Sequence, residues 1–130
     1  HKYNVSNNIK DNLSLLAKNF KLLKENRDFF NKDLEKNVYL NSKNHLIHLN
    51  ILNFVIDTKY KLKDFSENSK KILRSKTHKF NINGKYLIDN GMQRGVTMGK
   101  ALKKIEAEWI RNNFKITKNQ VQEIIRLYSN

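Results

Sequence analysis

Apolar residues recur at helical steps along most of the chain. Ile9, Leu13, Leu16, Phe20 and Leu23 share one face with lysines between them, which predicts a helix from about Ile9 to Glu25. Ser6 or Asn8 is placed to cap it, and the polar residues 1–8 are expected to fray. Phe29, Phe30, Leu34 and Val38 predict a second helix over Arg27–Val38, followed by the turn-prone Asn41 and Ser42. The most apolar stretch, LIHLNILNFVIDTKYKL from Leu46 to Leu62, suits a core helix by its length, although its β-branched content also suits a buried strand pair. Ser66 with Ser69 and Lys70 opens a short helix reaching Leu73, and Phe80–Asn83 alternates like an extended lead-in. Met98, Ala101, Leu102, Ile105 and Trp109 predict a helix from about Thr97 to Asn112. The last helix runs from about Thr117 to Tyr128. Thr117 and Gln120 form a capping-box pair there, and Val121, Ile124, Ile125 and Tyr128 form the buried side.

The sum is an all-α chain of about six helices, an irregular helical bundle with a C-terminal glycine-hinged helix-turn-helix. Residues 1–79 read as a helical body and residues 80–130 as a tail, which can also join in one continuous domain.

Punctuation is sparse. There is no proline, and all four glycines, Gly84, Gly91, Gly95 and Gly99, fall in one short stretch. A short helix carrying Leu87 and Ile88 would end at Gly91, where a residue without Cβ takes positive φ at little cost. Gly95 would turn the chain into the next helix. Backbone N–H groups at that helix start lack intrahelical partners and favour an anion. Arg94, Lys100, Lys103 and Lys104 add positive charge around the same end. The alternative is structural: Gly91 and Gly95 are turn residues only, and Gly99 permits close helix packing.

Charge sharpens this picture. The chain carries +14, spread as +9 over residues 1–82 and +5 over 83–130, so it should attract polyanions such as RNA. A lysine- and asparagine-rich composition also follows from an AT-rich coding sequence with no selection for binding. Cysteine is absent, which removes disulfides, zinc–thiolate sites and thiol nucleophiles and fits a reducing, cytoplasmic setting. No apolar run approaches the roughly twenty residues of a membrane span, so no membrane partner is expected. His1 in place of methionine suggests an excised fragment or a tag remnant.

Catalytic patterns are missing. His45 and His48 stand three apart without a third ligand near in sequence, so no metal site is expected. Glu106 and Glu108 are two apart and do not share a helix face; Lys103 and Arg111 supply ordinary surface partners for them. His78 beside Lys79 reads as a solvated linker residue with an option on phosphate. No nucleophile elbow, GxxxxGK[ST] loop or GxGxxG occurs. Tyr86, Trp109, Phe114 and Tyr128 can stack on bases. The position of Trp109 on an apolar face favours core packing, which leaves Tyr86 as the better candidate for exposure.

The glycine region resembles the C-terminal end of the bacterial tRNA nucleotidyltransferases (CCA-adding enzymes) and related poly(A) polymerases, with the pattern F-x-x-x-G-x-D-L-x-x-x-G-x-x-x-G-P-x-x-G-x-x-L followed by an aromatic-rich helix. Phe80, Gly84, Leu87, Gly91, Gly95, Gly99 and Leu102 match in order and spacing, and Trp109 and Phe114 fit one branch. Tyr86 stands where that pattern has aspartate, and Val96 where it has proline. The similarity covers about the last fifty residues.

The resemblance implies an RNA-binding helical region that holds tRNA by its phosphate backbone for CCA addition. The catalytic head that binds Mg²⁺ and CTP or ATP would be separate or upstream. This chain has no D-x-D pair and no glycine before Gly84, so it is expected to hold no cofactor, to have no catalytic residue and to be inactive alone. The implied RNA contacts are Gly84, Lys85, Gly91, Arg94, Gly95, Gly99, Lys100, Lys103 and Lys104. The alternative from another class is a small basic helix-turn-helix DNA-binding or scaffold protein.

Overall fold

The structure, a computed structural model, describes the backbone of residues 2–129 and the side chains of residues 9–129. Among the described residues it is all-α, with seven helices in two compact units, residues 1–77 and 78–130, each with its own core.

The first unit contains α1 (Lys2–Glu25), α2 (Leu34–Asn41), α3 (Lys43–Ile56) and α4 (Leu62–Arg74). Its core joins Phe29, Phe30, Leu34, Val38, Leu46, Leu49 and Ile72, with Leu16, Phe20 and Leu23 of α1 against them. Helix α3 is central and packs on α1, α2 and α4. Ser42 breaks α2 from α3 at φ 85°; its N–H donates to the Val38 carbonyl, and its hydroxyl accepts from the His45 amide. One residue thus stops one helix and caps the next.

Several boundaries differ from the sequence expectation. Helix α1 starts at Lys2, so Ser6 and Asn8 lie within it; no proline or glycine stands before Ile9 to prevent this. The apolar stripe of α1 outruns the core, leaving Ile9 and Leu13 exposed. Residues 27–33 form turns, and α2 begins only at Leu34. Adjacent Phe29 and Phe30 are both buried, with ring centroids 5.2 Å apart at 88°, an arrangement that one helix face does not give. Asparagines claim that backbone instead: Asn26 Oδ1 accepts from the Asp28 amide and Asn37 Nδ2 donates to the Phe29 carbonyl. Helix α3 stops at Ile56 rather than Leu62, because Asp57 turns the chain by accepting from the Lys59 amide. Helix α4 then begins at Leu62, earlier than Ser66.

The second unit contains α5 (Gly84–Asp89), α6 (Val96–Arg111) and α7 (Lys118–Tyr128). Leu87, Met92, Ala101, Ile105, Val121, Ile124 and Ile125 form its core. Asn83 caps α5 by accepting from the Tyr86 amide, and the expected Thr117–Gln120 capping box opens α7. Past α5, the Gly91 and Met92 amides return to the carbonyls of Ile88 and Leu87 at 3.0 and 2.9 Å. This left-handed cap requires the Gly91 φ of 96° and turns Met92 inward beside Leu87. His78, Phe80, Trp109 and Phe114 form an aromatic corner, in which His78 stacks on Phe114 at 3.8 Å.

Candidate nucleic-acid interface

The start of α6 is open. Its N-cap, Gly95, has φ 158° and ψ −173°, a region that L side chains rarely enter. Gly95 has no side chain to cap with; the Met98 amide donates to the Gly95 carbonyl at 3.1 Å, and no side-chain cap covers the amides of Val96 and Thr97 before it. Val96 is 81% exposed, and a Cβ at Gly91, Gly95 or Gly99 would meet nothing within 4 Å. Gly99 therefore does not serve close helix packing, as one reading of the sequence had it. It bares the first turn of α6 instead.

Positive charge surrounds this end. Arg94, Lys100 and Lys103 are exposed, and no Asp or Glu occurs between Asp89 and Glu106. Three- and four-residue steps put Val96, Lys100, Lys103, Lys104 and Arg111 on the outer face of α6. The opposite face buries Ala101, Ile105 and Trp109.

Lys104 is committed elsewhere. It donates to Glu108 at 3.2 Å, and Arg111 donates to the other oxygen of the same carboxylate at 2.5 Å. Those two partners, Arg111 first, hold the Glu108 carboxyl below its ordinary pKa.

Gly84, Lys85 and Arg94 meet around one open groove of about 580 Å³, with Ile88 and Met98 completing its wall. Gly84 is half-buried, and a Cβ there would lie 3.1 Å from Met98 Sδ, so this glycine lets α5 approach α6. The groove combines apolar walls with two cationic side chains, a combination suited to a sugar–phosphate chain. Sequence reasoning placed Ile88 and Met98 only as apolar helix positions, not as the wall of a groove; Met98 is half-buried against the second core and Ile88 is exposed.

Tyr86 departs from its expected exposure. It is half-buried against the second core, because the Asn83 cap and the first turn of α5 bring its ring inward. Trp109 is buried at 9% exposure, as its apolar position predicts.

Two polar clusters of the first unit escaped the sequence reading. Asn19, 4% exposed, donates to Asn41 Oδ1 at 3.2 Å and meets His45 Nε2 at 2.8 Å. Burial, then the charge of His48, lowers the His45 pKa. Among the described residues no group of three or more His, Asp or Glu is arranged to hold a metal.

The second cluster centres on α3. Asn50 donates to Ser69 and to the Phe65 carbonyl and accepts from the Tyr60 hydroxyl, which accepts from Asn68. One turn on, Asn53 is 7% exposed and its buried Oδ1 has no partner. An unpaired buried acceptor of this kind costs about 1–3 kcal/mol. Asparagines interrupting an apolar run at 50 and 53 were the visible sign of both.

Among the described residues, no helix is long and apolar enough to cross a membrane. No family model, curated protein or solved structure gives a significant match to the chain.

Proposed function

We propose that the second unit binds RNA by its phosphate backbone, as the C-terminal part of a tRNA nucleotidyltransferase would hold tRNA for a catalytic head carried elsewhere. The supporting observation is the uncapped, glycine-framed start of α6, exposed and flanked by Arg94, Lys100 and Lys103 without an intervening acid. Arg94 and Lys85 extend that charge along the groove beside α5. Lys104 contributes less, since Glu108 already holds it. In this reading the chain grips and positions RNA in the cytoplasm and performs no nucleotidyl transfer itself.

The test is tRNA binding by the full chain, read by anisotropy across a salt series. Affinity should fall steeply with salt as phosphate counterions are released. Combined R94E, K100E and K103E should weaken binding by about tenfold or more, at about 1 kcal/mol per contact. Unchanged affinity of the folded variant overturns this surface. Equal competition by duplex DNA favours a helix-turn-helix DNA binder instead.

A further inference from the structure

An open groove of about 540 Å³ in the first unit lies between the turns before α2, the start of α2 and the last turns of α4. Phe30 and Leu34 supply its apolar side, each more than nine-tenths buried. Lys70, Lys71 and Arg74 line it as well, against one carboxylate, Glu67.

Cations at a helix C-terminus have an ordinary explanation, since they meet the last carbonyls there. In α4 other groups do this. The Leu73 carbonyl accepts from Lys43 Nζ at 3.2 Å, and the Ile72 carbonyl accepts from the Ser75 hydroxyl at 2.8 Å and from its amide at 3.3 Å. Lys71 donates to Asn31 Oδ1 at 2.6 Å, which ties α4 to the turns before α2. Lys70 and Arg74 remain. Both are exposed, and neither has a hydrogen-bond or ion-pair partner among the described residues. Their four-residue spacing puts like charges side by side on the helix, so α4 itself gains nothing from the pair.

A groove that joins an apolar side to two unpartnered cations is complementary to an acidic ligand with an apolar part. It is too open to enclose a free small molecule, which needs most of its surface buried. A nucleic-acid backbone carries a charge at every step and would bring one against Glu67. A peptide can place carboxylates at Lys70 and Arg74 and a neutral residue at Glu67.

We infer that this groove docks an acidic segment of a partner protein. An aliphatic or aromatic side chain of that segment lies against Phe30 and Leu34, and its carboxylates meet Lys70 and Arg74, whose guanidinium can hold one of them at two points. The +9 charge of residues 1–82 steers such a partner toward the first unit. This site is independent of the RNA reading of the second unit.

The experiment follows a fluorescein-labelled peptide, Asp-Glu-Leu-Phe-Asp-Glu-Leu-Asp, by anisotropy as the full chain is added. Binding should saturate, and should weaken by about tenfold when Lys70→Glu and Arg74→Glu are combined. Neither residue has a partner to lose, so thermal unfolding should match the parent chain. If it does not, Lys70→Gln with Arg74→Gln is the second variant and should weaken binding by about threefold. Lys18→Glu with Lys21→Glu makes the same charge change on α1, outside the groove lining, and should leave affinity within about twofold. Serine in place of the leucines and phenylalanine of the peptide should weaken binding by at least about tenfold, which reads the apolar contact without disturbing the core residue Phe30. Absence of peptide binding, an equal loss in the α1 variant, or equal binding of the serine peptide overturns the inference. So does tRNA binding that falls as far as peptide binding in the variant of Lys70 and Arg74, which would make the groove an RNA track.

Discussion

The amide of Phe114 donates to the carbonyl of Trp109 at 2.7 Å, while their rings meet at 77° with centroids 5.0 Å apart. Together with the 3.1 Å bond from the Asn113 amide to Ile110, this closes α6 in the same left-handed cap that closes α5. There Met92 and Leu87 take the places of Phe114 and Trp109. The five-residue spacing of each apolar pair is the spacing such a cap demands, and it folds the second residue of each pair back beside the first. The two caps differ in the turning residue, glycine at 91 with φ 96° and asparagine at 113 with φ 58°.

That difference predicts opposite outcomes for two substitutions. Asn113→Gly should raise the stability of the second unit by about 0.5–1 kcal/mol, because glycine enters the left-handed region without a Cβ penalty. Gly91→Ala should lower it by about 1–2 kcal/mol, although its Cβ would touch nothing. Urea unfolding of both variants checks this. A neutral Gly91→Ala would show that the backbone relaxes out of the cap.

The pair Asn19–His45 predicts a pH response. The Asn19 amide nitrogen can only donate, so His45 Nε2 must accept and cannot carry a proton. Asn41 accepts from the same amide, and the charge of His48 adds to burial in lowering the His45 pKa. With the folded pKa below the unfolded value of 6.5, the folded state binds fewer protons. The stabilisation is complete above about pH 6.5 and is lost as pH falls through and below it. The urea midpoint of the first unit should therefore drop between pH 7.5 and pH 5. In His45→Gln, whose side chain can accept from Asn19 without titrating, that drop should shrink. An equal drop in both proteins would assign the effect to other groups.

Helix positions with a strong three-to-four-residue period were legible in the sequence. The α6 buried face of Ala101, Ile105 and Trp109 and the Thr117–Gln120 box both appear where their patterns place them. The errors cluster where asparagine and aspartate side chains compete for the backbone, at Asn26, Asn37 and Asp57. Such bonds depend on which rotamer meets which amide, and periodicity does not encode that. The candidate site was half legible. Glycine spacing marked the turns at Gly91 and Gly95, and charge marked Arg94, Lys100 and Lys103. The groove wall of Ile88 and Met98 required the packing of α5 against α6, and the inward turn of Tyr86 required the Asn83 cap. The groove at Lys70 and Arg74 needed the turns before α2 to meet α4, which no local pattern shows.

Glu108 predicts the direction in which RNA affinity can be raised. Its carboxylate holds Lys104 and Arg111 on the outer face of α6, the face that also presents Lys100 and Lys103. All of these cations are solvent-exposed, so the pairing is screened by salt and adds little to folding. Its larger effect is on the field: one acidic group cancels charge at the end of the basic stripe. Glu108→Gln removes that charge, keeps the side-chain volume, and frees two cations for phosphate. If the stripe carries RNA, Glu108→Gln should tighten tRNA binding by roughly threefold to tenfold at low salt and steepen the dependence of log affinity on log salt by about 1–2. Thermal unfolding should change little, which separates the effect from a change in fold. An affinity and salt slope equal to those of the parent chain would mean that the RNA track ends before Lys104, confining contact to Arg94, Lys100, Lys103 and the groove at Lys85.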